Sequence, residues 1–117
     1  MYLILFVLHN ENRLPALLDA WDLAGVGGVT ILPSTGMGRL KKNMPLREEI
    51  PLIPSLNDLL QDHEQLRNQT LFTIVDSMEA AEKIAAITDE VAGPLDQPDT
   101  GILAVLPLAK VYGLRLR

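Results

Sequence analysis

Residues Tyr2–Leu8, YLILFVL, place seven apolar side chains in a row near the start of a 117-residue chain, and this run constrains the fold more than any other feature. It carries no basic flank and stops at His9. That makes it too short for a membrane span and unlike a signal peptide, so it reads as a buried strand. Successive strand residues point to opposite faces of a sheet. Tyr2, Ile4, Phe6 and Leu8 therefore face one way, and Leu3, Leu5 and Val7 the other. A sheet with one solvated face alternates apolar and polar residues, and this strand does not. The run Ile102–Leu106 repeats the pattern, with Ile102, Ala104 and Leu106 against Leu103 and Val105. If helices cover one face, something else must cover the second. Each large apolar side chain is worth about 1.5–3 kcal/mol when buried. Another copy of the chain is the simplest cover.

At this length, with 48% apolar residues, one domain spanning 1–117 with a real core is expected. After the first strand, the spacing of Leu14, Leu17, Leu18 and Trp21 predicts a helix from Asn12, as N-cap, to Ala24, with Pro15 in its first turn. Gly25 stands where a left-handed residue ends such a helix. Val29–Ser34 reads as the second strand and Thr70–Val75 as the third. Between them, Thr35–Gln69 has no strand pattern. Asp76-Ser77-Met78-Glu79 reads as a capping box with Asp76 as cap. The second helix follows to about Val91, with Met78, Ala81, Ile84, Ala85 and Thr88 on one stripe, and Gly93-Pro94 ends it. Strand four is Ile102–Leu106, followed by an extended tail around Lys110–Leu114. The order β-α-β-β-α-β predicts an α+β, ferredoxin-like sandwich. Its four-stranded antiparallel sheet would carry two helices on one face and a long loop between strands two and three.

The stretch Gly25–Arg39, GVGGVTILPSTGMGR, joins a helix end to a strand and then to a glycine-rich turn ending in a cation. Gly36 and Gly38 allow close backbone approach to a ligand, and Arg39 supplies a donor for an anion. This block resembles the P-II nitrogen-regulatory signalling proteins, whose second strand leads through G-x-G-R into a long loop. The closing segment GILAVLPLAKVYGLRLR also resembles that family's last strand and basic tail. The resemblance spans nearly the whole chain. It implies a cytoplasmic, non-enzymatic homotrimer for signal transduction in nitrogen regulation, its sheets lining a common centre. An adenine nucleotide would sit between subunits and control residues 35–69, the equivalent of the T-loop. That loop would engage a partner protein such as a metabolic enzyme or a membrane transporter, the chain itself not being membrane-embedded. Carried over, the ligand residues are Thr30, Gly36, Gly38, Arg39, Lys41, Gly101 and Arg115. Several family residues are replaced. The phosphate-clamping lysine is Ile102, a second tail arginine is Gly113, and the glutamine that helps hold magnesium and oxoglutarate is Leu40. The only tyrosines are Tyr2 and Tyr112, neither in the loop. Weakened ATP binding is expected, with neither the usual oxoglutarate sensing nor uridylylation.

Other residues have chemistry of their own. The loop opens with Arg39, Lys41 and Lys42, and Ser55–Leu66 suits a short amphipathic helix that either packs on the body or meets a partner. His9, near Glu11, has the titration range of a general base but no nucleophile beside it in the sequence. A strand-end histidine bonded to a neighbouring turn is the simpler reading. His63 lies between acids, yet two histidines and no cysteine make a poor metal set, and none is expected. Glu79, Glu82, Asp89 and Glu90 read as the solvated face of the second helix. A net charge of −5 argues against nucleic acid, and the lack of cysteine fits a reducing compartment. Two alternatives remain open: a structural or metal-associated trimer like the CutA-type proteins, and a small ferredoxin-like enzyme using His9.

Overall fold

A computed structural model describes residues 1–36 and 68–115. The described elements, in chain order, are β1 (Tyr2–Leu8), a 3₁₀ turn (Glu11–Arg13), α1 (Leu14–Leu23), β2 (Thr30–Ser34), β3 (Asn68–Val75), α2 (Met78–Ala92) and β4 (Gly101–Pro107). The strands form one antiparallel sheet in the order β2-β3-β1-β4, which is the ferredoxin-like arrangement. The all-apolar run at the start of the chain thus takes an interior position. β1 pairs with β3 from Tyr2 opposite Val75 to Leu8 opposite Gln69, and with β4 from Tyr2 opposite Pro107 to Leu8 opposite Gly101.

Local chemistry explains the element ends, and at several it differs from the sequence reading. The cap before the first helix is Asn10, whose side chain accepts from the Asn12 N–H, so the chain enters through a 3₁₀ turn and α1 begins only at Leu14. Pro15 lies in the first turn as expected. Gly25 closes the helix with φ of 98°, and its N–H donates to the Asp22 carbonyl at 3.1 Å. At the second helix Ser77, not Asp76, is the cap. It has extended backbone angles, and its hydroxyl accepts from the Ala80 N–H at 3.1 Å. Starting at Met78 leaves that side chain exposed at the helix entrance, outside the stripe expected to bury it. The buried positions of α2 are Ala81, Ile84, Thr88 and Ala92. Of the features expected in the long loop, Ser55–Leu66, Lys42 and His63 lie outside the described residues.

Both helices pack on the face formed by Ile4, Phe6, Leu8, Leu71 and Val75, and the core forms between them. α1 contributes Leu17 and Trp21, both fully buried, with Leu14 and Leu18 at the margin. The indole N–H of Trp21 needs an acceptor there, because an unmet buried donor costs about 1–3 kcal/mol. Thr88 of α2 supplies it. Trp21 Nε1 donates to Thr88 Oγ1 at 2.9 Å, and the Thr88 hydroxyl donates in turn to the Ile84 carbonyl at 2.7 Å. One fully buried hydroxyl thus fixes the register of the two helices. Replacing Thr88 by Val keeps the shape and removes the acceptor, and urea unfolding is expected to show a loss of about 1–3 kcal/mol. Thr88→Ser should keep most of the stability, and an equal loss in both variants would place the effect in packing instead.

Candidate functional site

Side chains on the sheet face away from the helices follow from the strand registers. Leu3 lies opposite Ile74 and Leu106, Leu5 opposite Phe72 and Ala104, and Val7 opposite Thr70 and Ile102. Thr30 and Leu32 of β2 extend this face across from Phe72 and Thr70. Neither described helix covers it, and none of these residues belongs to the buried core cluster. Ile102 is 65% exposed, and Leu32 and Leu106 are exposed as well. Its polar margin lies on the β2 side, where the hydroxyls of Ser34 and Thr70 share a hydrogen bond 2.7 Å long.

The residues expected to hold a ligand divide between the two edges of the sheet. Thr30 begins β2 at one edge, and Gly101 begins β4 at the other. β3 and β1 lie between, so three strand spacings, about 14 Å, separate the edges. Gly36 follows two residues after the end of β2. Arg115 lies on the β2 side, although it belongs to the tail after β4. That tail leaves the sheet where the Leu108 N–H donates to the Met1 carbonyl at 2.9 Å, and Leu114 and Arg115 reach the turn between α1 and β2. Gly38, Arg39 and Lys41 lie outside the described residues.

Packing accounts for the glycine at 101. A Cβ built there would stand 2.6 Å from the Val7 carbonyl oxygen and 2.7 Å from Phe6 Cε1, at a φ of 155°. The next residue, Ile102, puts an apolar side chain on the open face where the P-II pattern has its phosphate-clamping lysine.

The β2 edge carries a feature that sequence reasoning missed. A cavity of about 500 Å³ lies between the turn Gly25–Val29, the end of β3, α2 and the tail. Thr73, buried on β3, ties the turn down by donating from Oγ1 to the Gly28 carbonyl at 2.5 Å. Among the sequence-predicted ligand residues, Thr30 and Arg115 line this cavity. Its other charged side chains are Asp76 and Lys83. Lys83 is the one cation of α2 and lies among the acids read as a solvated face. Only the tail folding back brings Arg115 to the same cavity.

His9 stands at the end of β1 with its backbone N–H donating to the Thr100 carbonyl at 3.3 Å. That bond ties the strand-end residue to the turn before β4. Nδ1 is buried and has no partner among the described residues. Glu11 accepts instead from Gln69 Nε2 at 3.3 Å. Among the described residues no group of three or more His, Cys, Asp or Glu is placed to hold a metal ion, and no helix is long and apolar enough to cross a membrane. Comparison with protein-family models finds no matching family, and comparison with curated proteins finds no match.

The two glycine environments predict opposite outcomes. Gly101→Ala forces a methyl group against backbone and ring and should cost about 1–3 kcal/mol in denaturant unfolding. Gly28→Ala, whose Cβ would meet nothing within 4 Å, should stay within about 0.5 kcal/mol of the wild type. Equal stability of the two variants would remove the packing account of Gly101.

Proposed function

We propose that this protein is a P-II-like regulatory homotrimer whose small ligand binds between subunits and controls residues 35–69, through which a partner protein is engaged. The observation that carries the reading is the placement of Thr30 and Gly101 on opposite edges of one sheet. Within a single chain the two cannot touch one small ligand. They come together only if the β2 edge of one copy approaches the β4 edge of another. The apolar open face gives a driving force for such an approach, since Leu3, Leu5, Phe72, Ile74 and Leu106 have no described helix above them. In this mechanism the ligand acts through its different affinity for two conformations of the loop, and the loop passes that difference to the partner.

A second reading, a trimer like the CutA-type proteins without nucleotide switching, is favoured by one observation. The β4 edge offers no cation at Ile102, and its Gly101 has a packing role. Both readings share the assembly and differ in the ligand.

Light scattering at micromolar concentration should give three times the 12.9 kDa chain mass. Leu5→Asp, which alters the open face and leaves the helix face intact, should give monomer or aggregate. A well-folded wild-type monomer would overturn both trimer readings. Arg39→Ala should weaken nucleotide or anion binding by about 1.5–3 kcal/mol, the size of a charge-assisted hydrogen bond, and Ile102→Lys should raise ATP affinity. If calorimetry detects neither change while the trimer persists, the second reading replaces the first.

A further inference from the structure

We infer that β4 is the receiving edge of a backbone ladder between copies, in which the outward amides of Gly101 and Leu103 meet the outward carbonyls of Pro33 and Ile31 on β2 of the neighbouring copy. The sheet then runs on from one subunit into the next. The ladder rests on the homotrimer proposed above and names the contact that closes it.

Two hydrogen bonds fix which backbone groups of β4 point away from the sheet. The His9 N–H donates to the Thr100 carbonyl at 3.3 Å, and the Leu108 N–H donates to the Met1 carbonyl at 2.9 Å. Opposed residues of an antiparallel pair alternate between bonded and non-bonded pairs. The register is unbroken between those two bonds, so Leu3–Leu106, Leu5–Ala104 and Val7–Ile102 are the bonded pairs. Gly101, Leu103 and Val105 therefore direct their N–H and C=O groups outward, where no hydrogen bond reaches them among the described residues. The same alternation, carried across β1 and β3, bonds Thr30, Leu32 and Ser34 to β3 and turns Ile31 and Pro33 outward. Pro33 has no N–H to leave unmet there, which is how an edge strand accommodates proline.

The two edges match in chemistry as well. Neither TILPS nor GILAVLP carries a charge, whereas free edge strands are commonly guarded by charged residues. All neighbouring strands are antiparallel, so β2 and β4 run in opposite directions. A neighbour in the same orientation thus brings an antiparallel β4 to β2. Leu32 lies level with Ile102 through Thr70 and Val7. In that register Ile31 and Leu103 exchange both of their bonds, and the Gly101 N–H donates to the Pro33 carbonyl. Leu32, 50% exposed, and Ile102, 65% exposed, become neighbours on the open face, where apolar cross-strand pairs stabilise a ladder. A head-to-tail contact of this kind uses each edge once and can close into a ring. Pairing β4 with a second β4 would leave Ile31 and Leu32 uncovered.

The chain has no cysteine, so introduced thiols report the contact directly. Residues opposed as a non-bonded pair stand about 4.5 Å apart at Cα, within disulfide reach. Under mild oxidation Leu32→Cys/Ile102→Cys should cross-link into species of up to three times the 12.9 kDa chain mass. Neither single variant should cross-link, and thermal melting checks that each one folds. In hydrogen exchange on the wild-type trimer, the Leu103 amide should exchange about tenfold or more slowly than that of Val105. Val105 is the comparison because it lies level with Val29, outside β2. A trimer whose folded double variant gives no cross-link, or whose Leu103 amide exchanges as fast as that of Val105, would overturn the ladder and leave the trimer reading standing. Cross-linking by Ile102→Cys alone would put a second β4 on this edge and overturn it too. A well-folded wild-type monomer would remove both the ladder and the trimer.

Discussion

Everything in this domain depends on β1 holding an interior position with apolar side chains on both faces. A strand there has its backbone donors and acceptors engaged on both sides, by β3 and by β4. Its even-numbered side chains anchor the helices, with Ile4, Phe6 and Leu8 fully buried. Its odd-numbered side chains, Leu3, Leu5 and Val7, lie on the other face among Phe72, Ile74 and Ala104. Slipping the register by one residue would exchange the two sets. Yet both sets are apolar, so the alternation within β1 cannot by itself choose the register. β3 carries part of that choice. Leu71, Thr73 and Val75 are buried on the helix side, where Thr73 meets the Gly28 carbonyl, and a slip would break that hydrogen bond.

The Trp21–Thr88 pair does for the helix layer what Thr73 does for the sheet. Apolar packing between α1 and α2 is tolerant of small sliding, because aliphatic contacts have little direction. A buried indole donor is not tolerant, since moving it away from its acceptor leaves an unmet polar group. The two hydrogen bonds from Thr73 and Trp21 therefore turn a generic sandwich into one defined arrangement. They also hold the Gly25–Val29 turn, which follows directly from α1 and forms a wall of the cavity.

How much of this is legible in the sequence depends on how local each signal is. The bounds of β1, the closing role of Gly25 and the order of the elements need only periodicity and turn chemistry. The caps stand one or two residues from the expected ones, because Asn10 and Asn12, or Asp76 and Ser77, are equally able to cap. The deciding factor is which residue takes extended backbone angles, as Ser77 does. Met78 fits the apolar stripe of α2 but stands in its first turn, beyond the reach of the core. At Gly101 the glycine pattern is visible and its reason is not, since the crowding comes from Phe6 and Val7, more than ninety residues away in sequence. Lys83 is the least legible. A lysine among acids on a helix is the pattern of a solvated face, and only the return of the tail brings Arg115 to the same cavity.

The two edges of the sheet differ chemically. At the β4 edge, the space beside Gly101 is filled by Phe6 and Val7, and Ile102 presents a branched alkyl chain. Such an edge is suited to apolar contact and offers no charge to a ligand. The β2 edge has Thr30, a tied glycine turn and two cations above a partly apolar wall. Any ligand bridging two copies would draw its charged contacts from the β2 side and from loop residues, and would find mainly shape at the β4 side.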